Sequence, residues 1–257
     1  MTKISAVIIT KNEECNIERC LQSLQDAVDE IIVVDSGSTD RTEEICKQFQ
    51  VKFIKQNWLG YGEQKNYGNQ LAQNNWILSI DADEALSEDL KKSILDLKKN
   101  MLSLNNVYSM NRLTNYCGSW IKHCGWYPDN KVRLFSRTIA EWNNAQIHER
   151  LIFQSSQNTM VLKGDLLHYS FYSISAHITQ INKFTSIAAA ELYKKGKKSP
   201  SIISILLRAK WKFVRDYIFN LGFLDGYAGY LVCKYSAMAK FTKYAKLRQL
   251  HNEQNKK

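Results

Sequence analysis

The stretch that decides the fold is Trp76-Ile77-Leu78-Ser79-Ile80-Asp81-Ala82-Asp83-Glu84. An apolar run ends there in two carboxylates, Asp81 and Asp83, spaced i and i+2. Because successive side chains of a strand point to opposite faces, these two carboxylates would share a face. Ligands bind at the carboxyl edge of open α/β sheets, and hard oxygen ligands at that edge suit Mg²⁺ or Mn²⁺ holding a diphosphate. An acidic turn that opens a helix over 87–99 is the alternative interpretation of the same residues.

On either side of this strand, the first hundred residues alternate between strand and helix patterns. Continuous apolar runs predict strands over 4–9, 30–34, 51–54 and 76–80. Helix patterns occupy the intervals and the following segment, over 13–25, 41–49, 63–73 and 87–99, and Asp40 with Glu43 forms a capping-box pattern for the second helix. Apolar strands joined by helices are typical of a mostly parallel sheet covered by helices on both faces. The sequence therefore predicts an α/β fold.

The segment from 101 to 195 has shorter and less regular pieces, rich in aromatic side chains. They predict strands over 108–110, 131–135, 147–153 and 160–163. Helices are expected over 173–195 and 201–248, separated by a basic, proline-containing stretch over 194–200. We expect these strands to be antiparallel and to form the second half of a pocket.

The positive charge of the chain is concentrated at its carboxyl-terminal end. The 257 residues have a net charge of +10. Residues 183–257 contain sixteen Lys and Arg against four Asp and Glu, a balance of +12, which leaves −2 for residues 1–182. Such an asymmetry indicates an anionic partner for the basic segment alone.

Several classes of protein are disfavoured by the motifs that the sequence lacks. No Gly-x-Gly-x-x-Gly or Gly-Lys-Ser/Thr loop is present, which argues against dinucleotide oxidoreductases and P-loop enzymes. The six cysteines contain no Cys-x-x-Cys pair, so we expect reduced thiols and no zinc site. Neither a signal-peptide layout nor an apolar stretch of about 18 residues is found, and we expect a cytoplasmic protein without a spanning helix.

Polar clusters follow three of the predicted strands. They are Thr10-Lys11-Asn12-Glu13, Asp35-Ser36-Gly37-Ser38-Thr39-Asp40 and Asp81-Ala82-Asp83. In a parallel sheet all three lie along one edge. Asp35 can accept hydrogen bonds from a nucleobase or ribose there, Asp81 can reach ribose or metal, and Asp83 can ligate the metal. Taken singly, each cluster is also explained by a helix start, a turn or a cap.

The ordered set of these motifs, together with Gly62-Glu63-Gln64-Lys65-Asn66-Tyr67-Gly68, resembles the family-2 glycosyltransferases of GT-A fold. The resemblance covers most of residues 1–110. It implies transfer of a sugar from a nucleotide-sugar with inversion at the anomeric carbon, assisted by a divalent cation, Mg²⁺ or Mn²⁺. The residues that it assigns to nucleotide binding are Thr10, Asn12, Glu13, Asp35, Lys65 and Asp81.

The reaction also needs a base that deprotonates the acceptor hydroxyl. The segment Asn144-Ala145-Gln146-Ile147-His148-Glu149-Arg150 is the best candidate. Glu149 resembles the base position of a related subset, and His148 lies beside it. An exposed strand with alternating polar residues is the alternative.

Three further residues are candidates for the second half of the site. Arg133, in an Arg-Leu-Phe element, can offer two donors to a phosphate or to the acceptor, or can form a surface salt bridge. His168 follows an apolar run and is a candidate third metal ligand beside Asp81 and Asp83, although a structural role is the alternative. Trp126, like Trp120, can stack on a sugar ring or serve as a packing anchor.

The carboxyl-terminal segment has an amphipathic pattern. On a helical wheel one apolar face contains Ile203, Leu206, Leu207, Val214, Tyr217, Ile218 and Leu221. Basic residues with bulky aromatics suit a helix on an anionic membrane surface. The alternative is that this face packs on the catalytic body.

The closing motifs Gly222-Phe223-Leu224-Asp225-Gly226-Tyr227 and Lys243-Tyr244-Ala245-Lys246-Leu247 resemble lipopolysaccharide-core glucosyltransferases. This resemblance implies a bacterial setting, a UDP-hexose donor and a glycolipid or lipopolysaccharide-core acceptor, at the cytoplasmic face of the inner membrane. We expect a GT-A catalytic domain over 1–195, with a nucleotide-binding half over 1–100 and an acceptor half over 101–195. A basic helical tail would follow over 196–257.

Two other functions fit part of the pattern. A sugar nucleotidyltransferase also uses paired carboxylates and a metal, but it would release pyrophosphate. A nucleic-acid-binding protein is suggested by a pI near 9.2, but its basic residues would line a polar face, whereas here they alternate with apolar side chains. We therefore expect no nucleic-acid partner.

Overall fold

The computed structural model of the protein describes residues 1–100, 102–143, 149–154 and 156–254. The chain forms two compact units. The first comprises Met1–Leu113 and Asp129–Tyr169, and the second comprises Thr114–Pro128 and Ser170–Lys257. This division differs from the predicted boundary at residue 195, because the long helix before that residue belongs with the carboxyl-terminal helices.

The described strands are, in chain order, β1 (Ile4–Thr10), β2 (Glu30–Asp35), β3 (Lys52–Lys55), β4 (Trp76–Asp81), β5 (Glu84–Leu86), β6 (Asn106–Tyr116), β7 (Ser119–Ile121), β8 (Asp129–Ser136), β9 (Ala140–Trp142), β10 (Leu151–Phe153) and β11 (Asn158–Phe171). The described helices are α1 (Ile17–Leu24), α2 (Thr42–Cys46), α3 (Tyr61–Leu71), α4 (Glu88–Lys99), α5 (Ile174–Lys194), α6 (Ile202–Val214) and α7 (Gly226–Gln254). A π-helical turn, Arg215–Phe219, and a 3₁₀ turn, Gly222–Asp225, separate α6 from α7.

The first unit is organised around a large sheet. Its strand order is β3-β2-β1-β4-β8-β6-β11-β5. The four strands from β3 to β4 are parallel, and β1 and the inner part of β2 are buried. The α/β prediction is therefore confirmed, and the four amino-terminal strands are those that the apolar runs predicted.

The other half of the sheet is antiparallel. Strand β8 runs antiparallel to β4 and β6, and β5 runs antiparallel to β11. The sheet is consequently mixed, and the expectation of a mostly parallel sheet holds for its amino-terminal half. Strand β5 is too short for an alternating sequence pattern to predict it. It forms because its backbone pairs with β11.

Two helices of the first unit begin differently from the expectation. Helix α2 is shorter than the predicted 41–49, and it has no capping box, because Glu43 pairs with Lys47 and Lys55 instead. Helix α4 begins as predicted: the side chain of Ser87 accepts a hydrogen bond from the backbone N–H of Leu90.

Helix α3 packs very closely on the sheet at Gly68. A Cβ atom at this position would lie 2.5 Å from Cγ1 of Val7 and 3.1 Å from Cγ2 of Val34. Both valines are buried, and β-branched side chains have little freedom to move aside. The absence of a side chain at Gly68 therefore lets α3 approach the sheet, which buries Lys65 one turn earlier.

The second unit contains the three longest helices of the described chain segments. Lys246 on α7 donates hydrogen bonds to the backbone carbonyl of Asn182 and to the hydroxyls of Thr185 and Ser186 on α5. These contacts explain why residues 170–195 group with the carboxyl-terminal segment rather than with the sheet.

The predicted continuous helix over 201–248 is interrupted at residues 215–225. Asp216 is fully buried in the π-helical turn. Leu221 adopts a left-handed backbone conformation with φ of 53°, which ends that turn. Within the described residues, we find no helix with the length and apolar character that a membrane crossing requires.

Candidate active site

The carboxyl ends of β1, β2 and β4 bring polar side chains to one edge of the sheet. In the register of these strands Thr10 is opposite Asp35, and Ile9 is opposite Asp81. Asp35 and Asp81 therefore lie on either side of β1, two strand spacings or about 10 Å apart. The structure thus brings together residues that are 46 positions apart in the chain.

Asp35 organises the loop that follows β2. Its buried carboxylate accepts hydrogen bonds from the backbone N–H groups of Gly37 and Ser38, both at 3.0 Å, and from the Ser38 hydroxyl. The backbone N–H of Asn12 donates to Ser38 Oγ at 2.8 Å, and the Asn12 side-chain oxygen accepts from the N–H of Thr39 at 2.8 Å. The loops after β1 and β2 are therefore tied together at the predicted nucleotide-binding edge.

Glu13, at this edge of the sheet, has a raised pKa. Burial raises the pKa of Glu13, a hydrogen bond from Asn16 opposes this, and the charges of Asp83 and Asp81 raise the pKa further. Neighbouring carboxylates that raise the pKa of Glu13 also favour binding of a positive charge at this edge.

Asp81 is held between two cations. Lys65 Nζ lies 3.0 Å from Oδ1 of Asp81, and a guanidinium nitrogen of Arg133 lies 2.8 Å from its Oδ2. Burial alone would raise the pKa of Asp81, but the positive charges of Lys65 and Arg133 outweigh it and hold this pKa well below its usual range. The Asp81 carboxylate is therefore ionised, and both of its oxygens are engaged.

Arg133 forms a buried ion pair, so the alternative of a surface salt bridge is wrong. The same guanidinium nitrogen lies 2.7 Å from Glu84, which is also buried. Burial alone would lower the pKa of Arg133, but the carboxylates of Glu84 and Asp81 raise it. Arg112 supports the pair, because it lies 3.7 Å from Glu84 and 2.8 Å from Asp129.

Asp83 faces His168 across the β5–β11 pairing. Their Oδ2 and Nε2 atoms are 3.2 Å apart, and the backbone carbonyl of Asp83 accepts a hydrogen bond from the N–H of Tyr169 at 2.9 Å. In the part of the chain that the structure describes, no three His, Cys, Asp or Glu side chains form a group that could hold a metal by themselves.

The donor set nevertheless fits a divalent cation that is shared with a bound diphosphate. Magnesium sites in nucleotide-dependent enzymes use one or two protein ligands, with phosphate and water oxygens completing the coordination. Asp83 and His168 offer an oxygen and a nitrogen donor side by side. Asp81 was predicted as a metal ligand together with Asp83 and His168, but its two oxygens contact Lys65 and Arg133.

Glu149 joins the cluster through Lys65. The Lys65 Nζ atom lies 2.8 Å from Oε1 of Glu149, and it also contacts the face of the Trp142 ring at 4.7 Å. Lys65 therefore links the end of β4 to Glu149, which follows β9 and stands 84 residues after Lys65 in the chain. His148, the other residue of the predicted catalytic pair, lies outside the described residues.

A cavity of about 670 Å³ adjoins this cluster. Its lining includes Asp81, Arg112, Lys131, Arg133, Trp142, Glu149 and Arg150. Three buried polar atoms in this region have no hydrogen-bond partner among the described residues: Oγ1 of Thr10, Nε of Arg133 and Nε1 of Trp142. Because buried polar groups are nearly always paired, these atoms are available to a polar ligand.

Trp126 belongs to the second unit. Its ring packs against those of Tyr116, Phe171 and His177, with centroid separations of 6.2, 5.9 and 6.1 Å. This environment is the packing anchor that the sequence analysis left open as the alternative to sugar stacking.

Sequence reasoning missed Glu84, Arg112 and Trp142. Glu84 stands directly after the Asp-Ala-Asp motif, and its burial next to Arg133 could not be inferred from a pattern of acidic residues. The signal that could have found it is the demand of any buried arginine for a carboxylate partner. Trp142 has no comparable signal in the sequence.

Comparison with known proteins relates the sequence to one family. Residues 5–156 match the model of the family described as glycosyl transferase family 2. An uncharacterised glycosyltransferase of Rickettsia typhi is 34% identical, over 97% of this chain and 88% of its own length. The lipopolysaccharide core biosynthesis glycosyltransferase LpsC of Rhizobium meliloti is 27% identical, over 96% of this chain and 93% of its own.

Among solved structures, glucosyl-3-phosphoglycerate synthase from Mycobacterium tuberculosis, in complex with Mn²⁺, UDP and glucosyl-3-phosphoglycerate, is similar to part of the chain. The sequence identity is 26%, the alignment covers 44% of each chain, and the TM-score is 0.35.

Proposed function

Because the chain belongs to glycosyl transferase family 2, and is therefore a glycosyltransferase that uses a nucleotide-sugar, we propose that it transfers a hexose from a UDP-sugar to a lipid-linked saccharide with inversion at the anomeric carbon. The observation that carries this proposal is the linked group of Asp81, Lys65 and Glu149 beside a large cavity. Glu149 and Asp81 both line this cavity. A nucleotidyltransferase or a nucleic-acid binder has no support from the family.

In this proposal the nucleotide lies along the edge formed by Thr10, Asp35 and Asp81. The unpaired hydroxyl of Thr10 and the carboxylate of Asp35 supply polar contacts for ribose and base. Asp83 and His168 would hold the divalent cation, Mg²⁺ or Mn²⁺, whose positive charge stabilises the leaving diphosphate. The pKa of Glu13 is raised first by burial and then by the charges of Asp83 and Asp81, and these charges support a cation here, since a diphosphate would otherwise meet several carboxylates directly.

Glu149 is proposed as the catalytic base. It takes the proton of the acceptor hydroxyl while the acceptor oxygen bonds to the anomeric carbon from the face opposite the diphosphate. The bond from that carbon to the diphosphate oxygen breaks, and its electron pair leaves with the nucleotide. Lys65 keeps the Glu149 carboxylate in one position through their 2.8 Å contact, which is the preorganisation that such catalysis requires.

The acceptor is proposed to be a lipopolysaccharide-core or similar glycolipid. The similarity to LpsC over nearly the full length of both chains supports this class. Arg112, Lys131 and Arg150 at the cavity provide donors for hydroxyl or anionic groups of such an acceptor. An acceptor of this kind would hold the enzyme at the cytoplasmic face of the inner membrane of a bacterium.

The test is a thermal-shift screen of nucleotide-sugars, with and without Mn²⁺. A ligand present at 100 times its Kd stabilises the native state by about 2.7 kcal/mol, so a UDP-hexose with Mn²⁺ should raise the Tm by several degrees. Asp83→Asn should abolish the Mn²⁺-dependent part of this shift, whereas Asp96→Asn, at an exposed aspartate, should leave it unchanged.

Two results would contradict the proposal. One is the absence of stabilisation by any nucleotide-sugar in the presence of Mn²⁺ or Mg²⁺. The other is release of pyrophosphate, rather than UDP, when donor and acceptor extract are incubated with the enzyme, since pyrophosphate is the product of a nucleotidyltransferase.

A further inference from the structure

The apolar face of α6 points to solvent instead of into the protein. Ile203, Leu207 and Ile218 lie on one side of the helical wheel, and their exposed fractions are 70%, 61% and 50%. The opposite side holds Ile205 and Asp216, which are both buried. For these residues the usual arrangement of a surface helix is therefore reversed, whereas Val214 and Tyr217 of the same predicted face are partly buried.

Asp216, just after α6, forms ion pairs within its own helical segment. It is fully buried, and it lies 2.5 Å from Lys212 Nζ and 2.9 Å from a guanidinium nitrogen of Arg215. Because both cations belong to the same segment, they turn with Asp216, and the pairs do not by themselves fix the rotation of α6. The direction of the exposed side follows from the burial of Ile205 and Asp216 on the opposite side.

The exposed apolar surface continues beyond the helix. We call it the α6 surface, and its exposed members are Ile202, Ile203, Leu206, Leu207, Trp211, Ile218, Phe219, Leu221, Phe223, Leu224 and Tyr227. Single exposed apolar residues are common on proteins, whereas so many exposed within one short segment, 202–227, point to an interaction site.

Positive charge accompanies this surface. Lys210 lies within the apolar stripe of α6, and no carboxylate among the described residues pairs with it. A groove of about 640 Å³ between α6 and α7 has Lys210 and Lys234 among its otherwise mostly apolar lining residues. Residues 183–257 have a balance of +12. Apolar and aromatic side chains combined with lysines match the interface of an anionic bilayer, where apolar groups enter the acyl boundary and lysines contact headgroups.

We propose that the α6 surface binds the enzyme to a bilayer of anionic lipids. A second copy of the chain would cover the same apolar area, but a symmetric contact would bring Lys210 and its basic neighbours of both copies together, and like charges in an interface are unfavourable. Membrane binding by the α6 surface rests on the proposed function in one respect, because a lipid-linked acceptor gives the enzyme a reason to be at a membrane. The residues of the surface are not those of the candidate active site.

Vesicle flotation of the full-length protein tests this proposal. Wild type should bind vesicles of phosphatidylglycerol and phosphatidylcholine at least tenfold more strongly than vesicles of phosphatidylcholine alone. The double substitution Ile203→Asn/Leu207→Asn should lower binding at least tenfold. The matched control Leu104→Asn/Val161→Asn, at two residues of the first unit with similar exposure, should bind like wild type.

Two measurements make each outcome decisive. Circular dichroism confirms that the variants fold, and analytical ultracentrifugation reports the oligomeric state without lipid. Equal vesicle binding by wild type and the α6 variant would overturn the proposal, as would a wild-type dimer that the α6 variant converts to a monomer. The thermal shift by a UDP-hexose is measured without vesicles, so failure there with intact vesicle binding would overturn the proposed function alone.

Discussion

At the scale of single residues, the candidate site depends on charges that neutralise one another across long sequence distances. Lys65 is almost completely buried and contacts two carboxylates. Arg133 does the same for Asp81 and Glu84. The sequence identified Asp81, Asp83, Lys65, Arg133 and Glu149 as candidates, but not which of them touch. Their catalytic and binding roles stay predictions that substitution can test.

Substitution of the proposed base should separate catalysis from binding. Glu149→Gln keeps the size of the side chain and removes its ability to take a proton, so we expect transfer to fall by about 10²-fold or more. Donor binding, measured by thermal shift with a UDP-hexose and Mn²⁺, should change little. Glu141→Gln, at an exposed position of β9, is the control and should retain full transfer. Substantial transfer by Glu149→Gln would exclude this residue as the base.

Loss of the buried lysine should affect both stability and activity. Lys65→Met keeps the apolar stem but leaves Asp81 and Glu149 without their shared cation. We expect the free energy of unfolding to fall by about 3 kcal/mol in urea denaturation, the lower end of the range for breaking a buried ion pair, because both carboxylates are partly exposed. Transfer should fall as well, since Glu149 loses its positioning contact.

The comparison variant is Lys47→Met. Lys47 is exposed and pairs with Glu43 on the surface, so its loss should change stability by less than about 1 kcal/mol. Equal effects of the two substitutions would show that the buried position of Lys65 does not matter.

At the scale of elements, the GT-A-type α/β fold is confirmed, and the order of its first strands and helices follows the predicted pattern. The observed helix boundaries differ from the predicted ones by a few residues, because caps and turns, rather than periodicity, end a helix. The antiparallel half was harder to predict because strands such as β5 and β9 have only three residues. Such short strands are stabilised by hydrogen bonding to neighbouring strands, so a local sequence pattern cannot predict them.

The approach of α3 to the sheet gives an element-scale prediction. Gly68→Ala adds a methyl group 2.5 Å from Val7, so α3 must move away from β1 and β2. We expect a loss of about 1–3 kcal/mol in the free energy of unfolding, although alanine is the better helix former. Transfer should also decrease, because Lys65 lies one turn earlier on the same helix. Urea denaturation and a transfer assay measure both effects.

Gln70→Ala on the exposed side of α3 is the control. It raises helix propensity without a steric conflict, so stability should stay within about 0.5 kcal/mol of wild type. A Gly68→Ala protein as stable as this control would mean that the helix does not depend on a close approach at glycine.

At the scale of the whole molecule, the chain consists of a near-neutral unit that contains the candidate site and a strongly basic helical unit. The charge asymmetry was visible in the sequence. The compact units divide the chain at Tyr169, before the predicted boundary at 195, because α5 contacts α7 although its composition is ordinary.

The second unit should lose stability in mild acid through His177. This histidine is buried among aromatic rings and its Nδ1 lies 3.0 Å from the hydroxyl of Tyr116. Burial lowers the pKa of His177 from 6.5 to about 4. Between these pH values the unfolded chain takes up a proton that the folded chain does not, so the free energy of unfolding should decrease as the pH falls from 6.5 to 4.

Urea denaturation of His177→Gln over this pH range checks the expectation. The variant cannot titrate, so its stability should depend less steeply on pH than that of wild type. His251→Gln, at a less buried histidine of α7, should keep the wild-type pH dependence. Parallel pH profiles for wild type and His177→Gln would show that this histidine is not held neutral.

The sequence by itself determined the fold class, the family and the positions of the acidic residues, because apolar periodicity and short polar motifs are local properties of a chain. Only the tertiary structure decided that Lys65 joins Asp81 to Glu149, and that the apolar face of α6 points outward. Periodicity reveals which residues share a face, but it carries no information about the partner that the face meets. That partner depends on elements that are remote in the sequence, such as those that bury Ile205 on the opposite side of α6.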